Sequence, residues 1–222
     1  MKKSDIWIVM PAYNEARYLK RVLKKTQKYH SQIIMIDDGS NDQTSQLGSK
    51  LAPYFLAHKV NLGKGAAIKT GCEFAFNKLK AKAVILMDAD DQHDPTELKQ
   101  FIQKLQSGSQ IVFGVREINQ NMPMIRRMAN NGLSFLVALL FGRYIPDIPS
   151  GFRALTHDIW LQLNCQATGY EIETEMAVRV ARESIDFDTV CITTTYHDMN
   201  KGMTFLDALK LVSPIINWRF GL

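Results

Sequence analysis

Apolar residues come in short unbroken runs, separated by stretches with helical spacing. Ile6 to Met10 is the first run, stopped by Pro11. From Glu15 the period changes: Leu19, Val22, Leu23 and Thr26 share one helical face, with Lys20, Arg21, Lys24 and Lys25 opposite. Ile33 to Ile36 is a second run, broken by the polar, turn-rich Asp37-Asp38-Gly39-Ser40-Asn41-Asp42. Tyr54 to His58 reads as a third strand, followed by Asn61-Leu62-Gly63-Lys64-Gly65-Ala66-Ala67 and a helix to Leu79. Val84 to Met87 holds no polar residue, which predicts a strand buried on both faces. A helix over Leu98 to Leu105 and a strand over Ile111 to Val115 follow. This alternation predicts an α/β fold: a mostly parallel, doubly wound sheet with flanking helices.

The second half is less regular. Pro123 to Gly142 reads as a long helix with Arg126 and Arg127 near its start, and Pro146 to Arg153 as a proline-bounded loop. Glu171 to Glu183 is helical, Ile185 to Tyr196 strand-like, and Met203 to Phe220 an amphipathic segment interrupted by Pro214. No repeat or low-complexity linker divides the chain, so one domain over residues 1–222 is expected. The regular alternation ends near residue 115, which sets a first half apart from a second.

The chemistry concentrates where the fourth strand ends. Asp88 and Asp90 sit two apart, and extended chain would point them to the same side. Asp94-Pro95-Thr96-Glu97 reads as a helix start, with Asp94 the N-cap, Pro95 the first helical residue and Glu97 closing a capping box. Open α/β sheets bind ligands at this carboxyl edge. Paired carboxylates with amide oxygens nearby suit a hard cation, Mg²⁺ or Mn²⁺; an isolated Asp-x-Asp is also common loop capping. Gly63-Lys64-Gly65 follows a strand and opens a helix, but Ile68 stands where a dinucleotide fingerprint needs its third glycine, and no Walker pattern occurs. The two glycines allow close approach of a ligand, and Lys64 is placed to meet a phosphate. The scattered histidines His93, His157 and His197 show no metal-ligand spacing.

Composition adds limits. The 222 residues are 46% hydrophobic and 22% charged, an ordinary globular balance, and the net charge is +5. That favours anionic partners without choosing among them, and dispersed basic residues with no stacking aromatics argue against nucleic acid. Three widely separated cysteines suggest reduced thiols and a cytoplasmic setting. No leader pattern opens the chain, and the longest apolar stretch, Leu133 to Phe141, is short of the ~20 residues of a spanning helix.

Five segments occur in order: Pro11-Ala12-Tyr13-Asn14-Glu15, Asp37-Asp38-Gly39-Ser40, Asn61-Leu62-Gly63-Lys64-Gly65, Asp88-Ala89-Asp90 with Gln92, and Ser150-Gly151-Phe152-Arg153. Together they resemble glycosyltransferase family 2, in its branch of polyprenyl-phosphate sugar transferases like dolichyl-phosphate mannose synthase. The resemblance implies a glycosyltransferase-A fold and an inverting, metal-dependent transfer of sugar from a UDP- or GDP-linked donor to a polyprenyl phosphate. It implies that Pro11, Tyr13 and Glu15 line the nucleotide pocket and that Asp37 or Asp38 reads the base. Asp88, Ala89, Asp90 and Gln92 match the metal and diphosphate loop, with Asp88, Asp90 and Gln92 as ligands. Ser150, Arg116 and Arg153 match the acceptor side, the two arginines facing the acceptor phosphate. In the region that closes over the donor in relatives, Lys201 is the one counterpart.

Two alternatives stay open at this level. A hydroxyl acceptor would need a carboxylate base, Asp91 or Glu173; a module that binds nucleotide sugars without turnover would need no metal. A lipid acceptor also requires a membrane surface. The helix with Arg126, Arg127, Leu133, Phe135, Leu136, Leu139 and Phe141, and the segment Leu211 to Phe220 with Trp218 and Arg219, are the candidate interfacial elements of a peripheral protein on the inner face of the membrane. They are equally readable as core or homodimer helices, or as contacts for a separate membrane-protein partner.

Overall fold

The computed structural model describes residues 1–117, 124–195 and 205–220. Seven strands form one sheet: β1 (Ile6–Ala12), β2 (Ile33–Asp37), β3 (Tyr54–Ala57), β4 (Ala83–Leu86), β5 (Ile111–Arg116), β6 (Arg153–Thr156) and β7 (Asp188–Ile192). Their order is β3-β2-β1-β4-β6-β5-β7. Every neighbouring pair is parallel except the two made by β6. The central strands are apolar up to their carboxyl ends because both faces are covered: every residue of β2 and β4 is buried, Asp37 at the end of β2 included.

Helices α1 (Ala16–Tyr29), α2 (Thr44–Leu51) and α4 (Leu98–Gln106) pack on one face of the sheet. Helices α3 (Lys64–Glu73), α5 (Met124–Phe141), α6 (His157–Leu163), α7 (Ile172–Arg182) and α8 (Phe205–Phe220) cover the other. A π-helical turn, Phe74–Lys78, continues α3.

The predicted strands are present, with two differences. β6 was unassigned: Arg153 to Thr156 directly follows the proline-bounded loop and is too short to show a period. Asp94 does cap the next turn, accepting the Thr96 N–H at 2.9 Å ahead of Pro95. Glu97, however, closes no capping box. Its Oε1 accepts from the Thr193 N–H at 2.6 Å and the Thr193 hydroxyl at 2.8 Å, and its Oε2 is buried without a partner among the described residues.

Two surfaces stand out. On α1, Arg17, Lys20, Arg21, Lys24, Lys25 and Lys28 are all exposed on the face away from Leu19, Val22 and Leu23. These six are part of 27 Lys and Arg, and the other 21 are outnumbered by 22 Asp and Glu, so α1 carries the whole net positive charge. On α5, Met128, Phe135 and Leu139 are exposed, and α8 repeats the spacing with Leu209, Ile216 and Phe220. Leu133 and Val137 on α5, and Leu211 and Ile215 on α8, turn inward to the core. No helix among the described residues is long and apolar enough to cross a membrane. Cys72, Cys165 and Cys191 are all free thiols.

Candidate active site

The ends of β2, β1 and β4 lie side by side, which brings the segments after each of them to one edge. Tyr13, 40% exposed, follows β1. The turn behind it is laced to the loop after β2: the Asn14 N–H donates to Ser40 Oγ (2.9 Å), Glu15 N–H to Thr44 Oγ1 (2.8 Å) and Ala16 N–H to Asp42 Oδ2 (3.1 Å). Side chains of the second loop thereby satisfy the first amides of α1.

Asp37 and Asp38 have different tasks. Asp38, 3% exposed, accepts from Leu62 N–H at 3.0 Å, Gly63 N–H at 2.8 Å and His58 Nδ1 at 2.7 Å. Its carboxylate is spent anchoring the loop that leads into Lys64, which corrects its candidacy as a base reader. The Asp37 carboxylate accepts the Ser40 N–H at 3.2 Å, its one hydrogen bond among the described residues. Asp37, 2% exposed, is as buried as Asp38 but has fewer partners.

Gly63 and Gly65 admit protein backbone rather than a ligand. Gly65 N–H donates to Gly169 O (3.1 Å) and Ala66 N–H to Thr168 O (2.9 Å), so loop 166–169 takes up the start of α3. A Cβ on Gly63 would lie 2.4 Å from Thr168 O, and one on Gly65 2.6 Å from Ala167 O. This is the close approach that glycine permits, used here to bring a loop over the site.

Lys64 is the hub. Its Nζ lies 2.7 Å from Asp88 Oδ1 and 2.7 Å from Glu173 Oε1 on α7. Burial opposes the ammonium charge, but these two carboxylates outweigh it and hold the Lys64 pKa above its ordinary value. Asp88 is half-buried, which by itself would raise its pKa, yet Lys64 and His93 hold its carboxyl well below the usual range, His93 Nε2 lying 3.5 Å from Oδ2. Asp90 behaves oppositely: burial and then the Asp88 charge push it up. It accepts the Gln92 N–H at 3.0 Å.

The reversed strand β6 completes the cluster. Because β6 is antiparallel to β4, with Arg153 paired to Leu86, its amino-terminal end lies at the carboxyl edge of the sheet. Gly151 therefore packs on the acid cluster: a Cβ there would lie 2.5 Å from Asp88 Oδ2 and 3.0 Å from Lys64 Nζ. The Ser150 hydroxyl is buried beside it without a hydrogen-bond partner among the described residues.

Arg153 corrects the expectation of an arginine facing the acceptor. It is fully buried, and its guanidinium donates to Ser150 O at 2.9 Å, Glu173 O at 2.6 Å and Ile148 O. Burial lowers its pKa to about 10. It fixes the loop and α7 around Lys64 and offers no surface to a substrate. Arg116 remains partly exposed but clasps Asp147 in a fork, Nε to Oδ2 at 2.8 Å and Nη2 to Oδ1 at 2.5 Å. Asp91, in the left-handed region at φ 62°, turns out of the site to Arg21 (2.5 Å) and Lys25 (3.5 Å). Of the two candidate bases, Glu173 alone stands in the site. Lys201, His197 and Tyr196 fall outside the described residues, as do the Arg126 and Arg127 side chains. Sequence reasoning missed His93, left as an isolated histidine, and Gly151, whose role depends on the unassigned β6.

Among the described residues no three His, Cys, Asp or Glu side chains converge on one point. The donor set nonetheless fits a hard cation, because such ions take one or two carboxylates and complete their shell with water and phosphate. Asp90 lies beside Asp88, and a divalent cation held there would offset the repulsion between their two charges.

A family model described as Glycosyl transferase family 2 matches residues 7–161. The UDP-N-acetylglucosamine–dolichyl-phosphate N-acetylglucosaminyltransferase of Methanococcus voltae is 30% identical over 243 residues, covering 97% of this chain and 96% of that protein. The dolichol-phosphate mannosyltransferase of Pyrococcus furiosus is 24% identical, covering 95% of this chain and 63% of its own. Glucosyl-3-phosphoglycerate synthase from Mycobacterium tuberculosis, solved with Mg²⁺ and uridine diphosphate, superposes with a TM-score of 0.76 at 20% identity, over 98% of this chain and 79% of that one. The shared fold is the glycosyltransferase-A type. The chain belongs to glycosyl transferase family 2 and is a glycosyltransferase.

Proposed function

We propose that the chain moves a sugar from a nucleotide sugar, UDP- or GDP-linked, to a polyprenyl phosphate. The observation that carries this reading is the Lys64–Asp88–Glu173 cluster, with Asp90 beside it, at the carboxyl edge of the sheet. The names of the relatives supply the acceptor class. Asp88, Asp90 and Gln92 are the proposed ligands of Mg²⁺ or Mn²⁺, and when bound the cation offsets charge on the leaving diphosphate. Tyr13, Glu15 and Asp37 border the nucleoside, and Lys64 meets the diphosphate. The acceptor phosphate, largely ionised near neutrality because its second pKa is ~6, needs orientation more than a base. Its oxygen attacks the anomeric carbon as the bond to the diphosphate breaks, with inversion. Arg116, half-buried and forked to Asp147, is the arginine proposed to orient it.

The lipid reaches the site from a bilayer, and the outward apolar residues of α5 and α8 form the docking face. A second reading, transfer to a hydroxyl, is favoured by one observation: Glu173 sits in the site as a carboxylate able to take the proton.

The test is calorimetric titration with UDP, GDP and their sugar forms, with Mn²⁺ or chelator, followed by turnover on polyprenyl phosphate and on soluble glycosides. Metal-dependent, base-selective binding with lipid-phosphate turnover supports the proposal. Turnover on hydroxyl acceptors alone would replace it with the second reading, and absence of nucleotide binding would end both.

A further inference from the structure

Loop 164–171 walls the site, and its one large side chain has no task in the chemistry above. The loop is held at several points. The buried Glu175 carboxylate accepts the Gln166 N–H at 2.9 Å and the Ala167 N–H at 2.7 Å, while Lys69 Nζ donates to Gln166 O at 2.8 Å. Thr168 O and Gly169 O accept from the first amides of α3. Three residues after Tyr170, Glu173 binds Lys64. Tyr170 thus stands between two anchors on the Lys64 segment, one before it at Gly169–Gly65 and one after it at Glu173–Lys64.

On this fixed backbone the Tyr170 side chain is left in solvent. The residue is 75% exposed and makes no hydrogen bond or ring contact among the described residues. What its chain neighbours Gly169 and Glu173 touch is Gly65 and Lys64. Those are the groups that border the proposed donor site. A rigidly mounted, unpacked aromatic ring beside a polar cluster is a contact surface for a ligand with one apolar face and several hydroxyls.

We propose that Tyr170 packs its ring against the sugar of the nucleotide-sugar donor. This rests on the donor reading above. In that reading the ends of β1 and β2 border the nucleoside and Lys64 meets the diphosphate; Tyr170 lies three residues before Glu173, the α7 partner of Lys64, and this side is the one assigned to the sugar beyond the diphosphate. The C–H face of a pyranose is the part of the donor that suits an aromatic ring.

The experiment compares wild type, Tyr170→Ala and Tyr170→Phe by calorimetry with Mn²⁺ present. The probes are UDP and UDP-N-acetylglucosamine, with GDP and GDP-mannose in parallel. Tyr170→Ala is expected to weaken binding of the sugar nucleotide about fivefold, the scale of an aromatic packing contact, while the bare diphosphate changes by less than about twofold. Tyr170→Phe keeps the ring and is expected to match wild type. Equal losses for diphosphate and sugar nucleotide would overturn the proposal by placing the ring on the nucleotide, and no loss for either would overturn it outright. In both cases wild type still binds, so the donor reading survives; wild type binding none of the four would remove both together.

Discussion

Replacing Gly151 by alanine tests whether the acid cluster is held to fixed geometry. The glycine has an ordinary φ, so alanine brings no backbone strain there, only a methyl group 2.5 Å from Asp88 Oδ2 and 3.0 Å from Lys64 Nζ. Ordinary contact begins near 3.4 Å, so about 0.9 Å has to be found. The loop is poorly placed to give way, because Arg153 ties Ile148 O, Ser150 O and Glu173 O into one unit. Asp88 is therefore displaced from its 2.7 Å contact with Lys64. Overpacking of this kind costs about 1–3 kcal/mol, a fall in melting temperature of about 2–12 °C for a chain of this size. A misplacement near 1 Å costs catalysis about a hundredfold. Circular-dichroism melts and single-turnover assays on Gly151→Ala would read both. A folded variant with turnover within about threefold of wild type would refute the reasoning, since the cluster would then tolerate the displacement that the geometry requires.

Other outcomes follow from the same contacts. Arg153→Met leaves three buried carbonyls without their donor, and at about 1 kcal/mol or more each the melting temperature falls by at least about 6 °C; an unchanged melt with lost turnover would return Arg153 to the acceptor. Burial raises the Glu97 pKa above its ordinary 4.5, so its contribution to stability is present below that pH and is lost as pH rises through the raised value. Melts of Glu97→Gln and wild type should therefore shift in favour of the variant as pH rises from 4.5, and parallel curves would contradict the assignment. Phe135→Asp with Leu139→Asp changes two exposed residues of α5, so the fold should persist while vesicle co-sedimentation falls severalfold, and unchanged sedimentation would exclude α5 as the docking face.

The parallel half of the fold was readable because each of its strands is a solid apolar run with a helix of opposite period beside it. β6 was not, since four residues after a rigid loop carry no period, and only its pairing between β4 and β5 defines it. The acids at Asp88 and Asp90 were visible as chemistry from their position at a strand end. Their partners were not: Lys64 and Glu173 are more than a hundred residues apart, and local sequence holds no sign that one salt-bridges the other. Arg153 reads as a surface cation in one dimension because the three carbonyls that consume it come from folded backbone. Asp91 next to Asp90 looks like part of the same acidic loop until the left-handed turn at that residue aims it at α1.

The distribution of charge across the sheet has a consequence for orientation. The cations of α1 lie on one face, and the exposed apolar residues of α5 and α8 on the other. Near an anionic bilayer the molecule feels a torque. The cationic face is drawn from about a Debye length away, roughly 8 Å at physiological salt, whereas the apolar face acts only on contact. Vesicle-bound protein should then divide into two populations lying in opposite senses. One is released as salt rises, with α1 against the headgroups. The other persists in high salt, held by Phe135, Leu139 and their counterparts on α8, and only this second population has the proposed docking face on the lipid.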